Sequence, residues 1–343
     1  MMTYWLGYFS ILILGCGGLI GLLVYLHRAQ KSGSFLENLT LMALTLLLTL
    51  LGLEFYFKVF FAESNDITNL AMQNWRDRYY RGAFNSFGYR DQEWTPEKIA
   101  GKTKVMVVGD SFVEGVGIKN AADRFPDALG RLLGPDYVVF NLGRRGADTG
   151  QEVQDILNYP YPPDILVLSY FVNDIDGIAI KVGLLDPPKA PPIPSLLQPL
   201  VENSYAFNFF YWRMMRLALA GQPDWRWQWR LAAYQHAEAW ELHRRALLDI
   251  YAGTRSQHIP FFVVVFPSIT HPEESRVVTD RIVALFEGQG APVLDVRQLI
   301  QGLPSRELTV NAVDSHPNER VHRQVAEALY QMFITAGAVK PTP

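Results

Sequence analysis

The sequence predicts a three-layer α/β domain, a five-stranded parallel sheet with helices on both faces, preceded by a hairpin of two apolar helices. Three observations carry this. Five short apolar runs recur between residues 104 and 296, separated by segments long enough for helices, which is the pattern of repeated βα units. Three of those runs end in polar loops, the position where parallel sheets bind ligands. The first sixty residues hold two long runs almost free of charge.

Tyr4 to Leu26 contains no charged residue and is closed by His27, Arg28 and Lys31. As a helix it reaches roughly 34 Å, enough to cross a bilayer core. A second run is free of charge from Leu39 to Leu53 and continues through Glu54, Phe55, Tyr56, Phe57, Lys58, Val59, Phe60 and Phe61. The expectation is two transmembrane helices, about 4–26 and 36–61, within residues 1–62. Glu54 and Lys58 are four apart and can pair, and the aromatics around them suit an interfacial belt. Gly15, Gly17, Gly18 and Gly21 would allow close helix packing. A cleaved signal peptide fits less well, because no basic segment precedes Tyr4. A lipoprotein site at Cys16 is disfavoured by the apolar run continuing past it. Arg28 and Lys31 place the inter-helix loop on the cytoplasmic side and the rest outside it.

A connector (63–100) leads to the domain at 101–338. Lys104–Val108, Tyr137–Phe140, Ile165–Tyr170, Phe261–Phe266 and Val293–Val296 read as strands. Helices fit 121–134, 148–158, 230–253, 274–288 and 318–336. An insertion at about 180–230 interrupts the repeat. Pro187 to Pro199 reads as an extended loop, and 205–229 is dense in Phe, Tyr and Trp. Such a stretch marks a membrane or partner surface, a lid, or added core.

Bulk properties narrow the function. The net charge is −3, with no basic stripe, so no nucleic-acid partner is expected. One cysteine, Cys16, excludes an intrachain disulfide and a cysteine-rich metal site. There is no phosphate-binding P-loop or dinucleotide glycine motif. Asp174 and Asp176 read as solvated acids, and His236 and His243 are seven apart, too far for the usual metal-ligand pair. No metal and no cofactor is predicted.

Chemistry is concentrated after the first three strands and before the last helix. Gly109-Asp110-Ser111 follows the first strand, where a serine at a strand-to-helix turn exposes its hydroxyl and N–H, although a plain helix N-cap would use the same residue. Asn141-Leu142-Gly143-Arg144-Arg145-Gly146 follows the second and can present a glycine N–H, or be an ordinary turn. Asn173 follows the third and can donate to an oxyanion, or make an Asx turn. Asp314-Ser315-His316-Pro317-Asn318 precedes the last helix. His316 can serve as general base with Asp314 orienting it; a surface turn uses the same residues.

In order and spacing these four blocks resemble the SGNH (GDSL) hydrolase superfamily over residues 83–336. The run Asn85-Ser86-Phe87-Gly88-Tyr89-Arg90-Asp91 is similar to membrane-anchored bacterial members. The resemblance implies the flavodoxin-like SGNH fold, with Ser111 as nucleophile and His316 as base. It implies Ser111 N–H, Gly146 N–H and the Asn173 amide as oxyanion donors, with Gly143 the alternative if the second block is out of register. Two features depart from the family pattern. Phe171 stands where glycine is usual, narrowing the space beside the oxyanion, and Asp314 is two residues before His316 rather than three, which leaves their contact angle open.

The functional expectation is a membrane-anchored serine esterase or acyl-transfer enzyme, its domain periplasmic at a bacterial inner membrane, acting on acylated cell-surface glycans or lipids. The alternative is a non-catalytic subunit of a membrane complex, contacting protein partners through the hairpin and residues 205–229.

Overall fold

The computed structural model describes residues 2–29, 33–67, 69–185, 190–222 and 224–340. The helices at the start are α1 (Met2–Arg28), α2 (Phe35–Val59), α3 (Leu70–Tyr79) and α4 (Pro96–Ile99). Next come β1 (Thr103–Gly109), α5 (Ser111–Glu114), α6 (Phe125–Leu133), β2 (Tyr137–Gly143), α7 (Thr149–Asn158), β3 (Ile165–Tyr170) and α8 (Asp176–Lys181). The insertion supplies α9 (Gln198–Asn203), α10 (Tyr205–Leu219) and α11 (Trp225–Gln235). The chain closes with α12 (Ala237–Ser256), β4 (Phe261–Val265), α13 (Arg276–Glu287), β5 (Val293–Asp295), α14 (Arg297–Ile300), β6 (Thr309–Asn311), β7 (Asp314–Pro317) and α15 (Glu319–Thr335). Lys31 and the start of the proline run, residues 186–189, lie outside the described residues.

Two compact units emerge. One is Met1–Arg78 with Ala190–Gln222; the other is Tyr79–Lys189 with Pro223–Pro343. The boundary at Arg78 falls inside the expected connector, and most of the insertion, Ala190–Gln222, belongs with the apolar helices.

In the first unit, α1 and α2 are each long and apolar enough to cross a membrane. They pair antiparallel, Trp5 Nε1 donating to Glu54 Oε1 at 2.8 Å, while a Cβ on Gly15 would lie 3.0 Å from Leu47 Cδ2. Gly15 alone among the four glycines makes that close approach; Gly17, Gly18 and Gly21 face open space. Ser34 caps α2 at its start. Its end is tied down by Asn74, whose amide reaches the carbonyls of Phe57, Lys58 and Phe61 at 3.0 Å each.

Glu54 is bonded differently from its expected pairing with Lys58. Its carboxylate accepts from Ser204 Oγ (2.8 Å), Tyr205 N–H (2.8 Å) and Ala206 N–H (3.1 Å). The free amides at the start of α10 offer several directed donors together with the positive end of the helix dipole. Lys58 instead bonds Tyr205 Oη at 2.8 Å and lies over its ring.

In the second unit the sheet order is β2-β1-β3-β4-β5, with every pairing parallel. Side chains alternate between two cores, as the period-two geometry of a strand requires. Met106, Val108, Phe140, Leu142, Leu166 and Leu168 face one side, packed with Val278, Ile282 and Phe286 of α13. Val105, Val107, Val139, Val167, Phe262 and Val264 face the other, against Phe125 and Leu129 of α6 and Val325, Leu329 and Phe333 of α15. Burial of each such side chain is worth roughly 1.5–3 kcal/mol, so both faces of every central strand are sealed. The register pairs Gly109 with Gly143 and with Ser169. Three strand ends are therefore level, and the loops leaving them are neighbours.

One expected helix is two. The chain breaks at His236, which is extended (φ −72°, ψ 115°) and accepts the Ala239 N–H on its own Nδ1.

Candidate active site

β1 ends in Gly109, where any Cβ would sit 2.6 Å from Val113 Cγ2 and 2.8 Å from the Ser169 carbonyl oxygen. Glycine there lets the chain turn directly into α5. The cap of that helix is Asp110, whose carboxylate accepts the Phe112 N–H at 2.9 Å. Ser111 is left as the first helical residue, its hydroxyl released from capping.

The Ser111 hydroxyl lies 3.0 Å from His316 Nε2, and His316 Nδ1 lies 2.5 Å from Asp314 Oδ1. The antiparallel pair β6–β7 makes this possible. In a strand, residues i and i+2 project from one face. A two-residue spacing therefore aims both side chains the same way, and the His316 N–H also donates to Asp314 Oδ1 at 3.1 Å. The surface turn that the same residues could have formed is instead a strand. Asp314 is wholly buried.

Phe171 does not stand alone beside Asn173. Its ring stacks on Phe112 (centroids 4.2 Å apart, 28°), and Phe112 meets the His316 ring edge-on at 5.6 Å. The aromatic pair forms a wall on one side of the imidazole.

The second block divides its glycines by role. Gly143 N–H donates to Asn141 Oδ1 at 2.9 Å, and a Cβ at Gly143 would lie 2.0 Å from Glu114 N. It is the point where β2 touches the backbone of α5, and its donor is used. Asn141 completes that joint by donating to the Val113 carbonyl at 2.9 Å. Gly146 occupies the third position of the turn Arg144–Ala147, closed by Ala147 N–H to Arg144 O at 2.9 Å. Its φ of +73° is the left-handed value that a type II turn asks of glycine. It is exposed, in a cleft lined by Arg144, Arg145, Asp148, Gln151 and Lys181.

In the third block the turn is made by Asp174, not Asn173. Asp174 Oδ2 accepts the Phe171 N–H at 3.1 Å. The Asn173 amide and the Ser111 hydroxyl both bond the Asp110 carboxylate, which burial raises and these bonds, with the Phe112 N–H and the His316 charge, pull back down. Behind them lie Glu152 and Asp174, both wholly buried. Burial pushes each well up, the neighbouring Asp110 carboxylate adds to both, and Glu152 raises Asp174 further. Asp176, read as solvated, is gripped by Arg230 at 2.9 Å.

The sequence singled out the run at 85–91 without giving it work. Arg90 is fully buried, donating to the carbonyls of Gly115 and Ile118 at 2.8 Å each while its guanidinium lies 3.8 Å over the Tyr80 ring. Arg124 bonds the Arg90 carbonyl from below. Asp91 accepts from Trp94 Nε1 (2.7 Å) and Asn141 N–H (3.1 Å), and burial lifts it to about 6. The run braces the loop that follows α5. Nothing in composition or periodicity signals this, because an arginine looks solvent-bound in sequence.

No protein-family model matches the sequence, and no curated protein does. Several solved structures are similar at low identity. One is a member of the lipolytic protein G-D-S-L family from Veillonella parvula, at 14% identity over 68% of this chain and 98% of that one, with a TM-score of 0.40. A GDSL-like lipase from Bacteroides thetaiotaomicron is 13% identical over 68% and 89%, TM-score 0.40. AlinE4, an SGNH-hydrolase family esterase, is 16% identical over 69% and 95%, TM-score 0.37.

Proposed function

We propose that the chain is an SGNH-type serine esterase or acyl-transfer enzyme, anchored in a bacterial inner membrane by α1 and α2 with its domain on the periplasmic side. The observation that carries this reading is the unbroken chain from the Ser111 hydroxyl through His316 to buried Asp314. In the reaction, Ser111 Oγ attacks the acyl carbonyl as His316 Nε2 takes its proton. Negative charge on the carbonyl oxygen is met by the Ser111 N–H, the Gly146 N–H and the Asn173 amide. His316 returns the proton to the leaving alcohol as the C–O bond breaks, leaving an acyl ester on Ser111. Water, or the hydroxyl of an acceptor, then attacks this ester with His316 again as base. Asp314 fixes the ring so that Nε2 faces the serine and stabilises the imidazolium.

The proposed substrates are acylated cell-surface glycans or lipids. With the Gly146 N–H as an oxyanion donor, the guanidinium, ammonium, carboxylate and amide groups bordering the cleft beside Gly146 favour a hydroxyl-rich glycan. Full-length protein in detergent should hydrolyse a short aryl acetate and release acetate from an O-acetylated polysaccharide. Ser111→Ala and His316→Ala should each abolish both. Equal rates for wild type and Ser111→Ala would overturn the assignment and favour an accessory subunit.

A further inference from the structure

We infer that α9 and α10 form an interfacial elbow, its outer face seated in the headgroup–acyl boundary of the bilayer; this rests on reading α1 and α2 as membrane spans. The first observation is how α10 is fastened. Glu54, one turn from the end of apolar α2, is wholly buried and receives donors from Trp5, Ser204, Tyr205 and Ala206. A carboxylate with that many directed donors holds the start of α10 at the level where α1 begins and α2 ends. Aromatic contacts continue the joint, with Phe209 stacked on Phe57 at 4.4 Å and edge-on to Phe61 at 5.0 Å.

The second observation is the face left over. Phe210, Met214 and Leu217 are 47%, 69% and 77% exposed. Their i, i+4, i+7 spacing puts them on one stripe. Leu196 and Leu200 extend the apolar surface on the α9 side, also exposed. An apolar stripe of this kind on a free-standing water-soluble surface is unfavourable by about 25 cal/mol for each Å2 left uncovered. Phe55 and Tyr56 of α2 and Phe60 just after it are exposed too, and Phe210 meets Phe57 of the same helix edge-on at 5.8 Å.

The third observation is charge. Arg213 flanks the stripe, bonded to Glu63 at 2.7 Å with its guanidinium 5.1 Å over the Phe209 ring. An arginine whose stem lies along aromatic surface and whose head reaches a polar partner is the arrangement of an interfacial helix. Lys58 adds a second cation at the same end, 4.5 Å over Tyr205. Lipid acyl chains below and headgroups beside the cations satisfy this surface together.

The test places single spin labels on full-length protein in lipid vesicles, in a Cys16→Ala background. Labels at Phe210→Cys and Met214→Cys are compared with Leu14→Cys on α1 and Leu157→Cys on α7. Collisions with oxygen report lipid, and collisions with a nickel chelate report water. The inference expects both α10 labels to fall between the two controls: more oxygen-accessible and less nickel-accessible than Leu157, yet shallower than Leu14 near the middle of its span. Nickel accessibility equal to that at Leu157 would overturn it, as would protection from both reagents, which means a protein partner covers the face. Nickel accessibility at Leu14 itself would overturn the spanning reading instead, so the two failures are distinct.

Discussion

Replacing Gly143 by alanine would strike the site without touching any reacting group. The new Cβ would lie 2.0 Å from Glu114 N, 2.4 Å from Val113 C and 2.6 Å from Glu114 Cα, all backbone atoms of α5. No side chain can rotate away. Restoring an ordinary contact of 3.4 Å means moving α5 by roughly 1.4 Å, and Ser111 begins that helix. The Ser111–His316 hydrogen bond is 3.0 Å long, so a shift of that size in an unfavourable direction removes it. A misplacement of about 1 Å costs on the order of 10²-fold in rate, or about 2.7 kcal/mol of barrier. The overpacked joint should cost a further ~1–3 kcal/mol of stability. The assay is the rate of hydrolysis of an aryl acetate, with kcat and KM separated, beside the thermal unfolding midpoint. The loss should fall on kcat. Gly130→Ala is the control: it lies in α6, and its Cβ would meet only a side chain, Val139 Cγ2, at 3.3 Å. Gly143→Ala turning over at the wild-type rate would refute the claim that β2 and α5 are in hard contact there.

Three further outcomes follow from the same geometry. Asp314→Asn keeps an acceptor for the His316 N–H but favours the wrong imidazole tautomer, so kcat/KM should drop about 10²–10⁴-fold with the unfolding midpoint nearly unchanged; a loss under tenfold would argue against the orienting role. Arg90→Ala removes the donors to Gly115 and Ile118 and the stack on Tyr80, and unfolding measurements should show a loss of about 3 kcal/mol, with Arg90→Lys recovering only part. His243 is held down to about 3 by burial, so the folded state refuses a proton that the unfolded chain accepts below about 6.5. Its contribution is complete above that pH and is lost as the pH falls. The stability advantage of wild type over His243→Phe should therefore shrink by about 1.4 kcal/mol per pH unit between pH 6 and 4; a constant difference would show that His243 stays protonated or exposed.

The strands were legible because their side chains obey a strict alternation or an unbroken apolar run; Ile165–Tyr170 coincides with β3 to the residue. The strand order β2-β1-β3-β4-β5 is that of the flavodoxin-like fold the resemblance implies, and it makes the three polar loops neighbours. The grouping of Ser111, Asp314 and His316 could be anticipated from a family resemblance, yet their geometry could not. That Asp314 and His316 lie on a strand rather than a turn was not legible, because four residues with a histidine and a proline carry no periodicity. Their strand exists only because Thr309–Asn311 pairs with it, a tertiary fact. Glu54 was misassigned for the same reason. Lys58 is its neighbour in sequence, but the donors that bind it come from Ser204 to Ala206, 150 residues away, and local spacing carries no trace of them. Buried Arg90 and the carboxyls of Glu152 and Asp174 defeat the expectation that charge is exposed, since their surroundings come from distant loops.

The central claim is that Ser111 is a nucleophile activated by His316. Full-length protein treated with a fluorophosphonate, digested and mapped by mass spectrometry should carry one phosphonyl group on Ser111. The adduct should be absent in Ser111→Ala and slowed at least about 10²-fold in His316→Ala. A wild-type protein that stays unlabelled, or an adduct that persists at another residue in Ser111→Ala, would contradict the account.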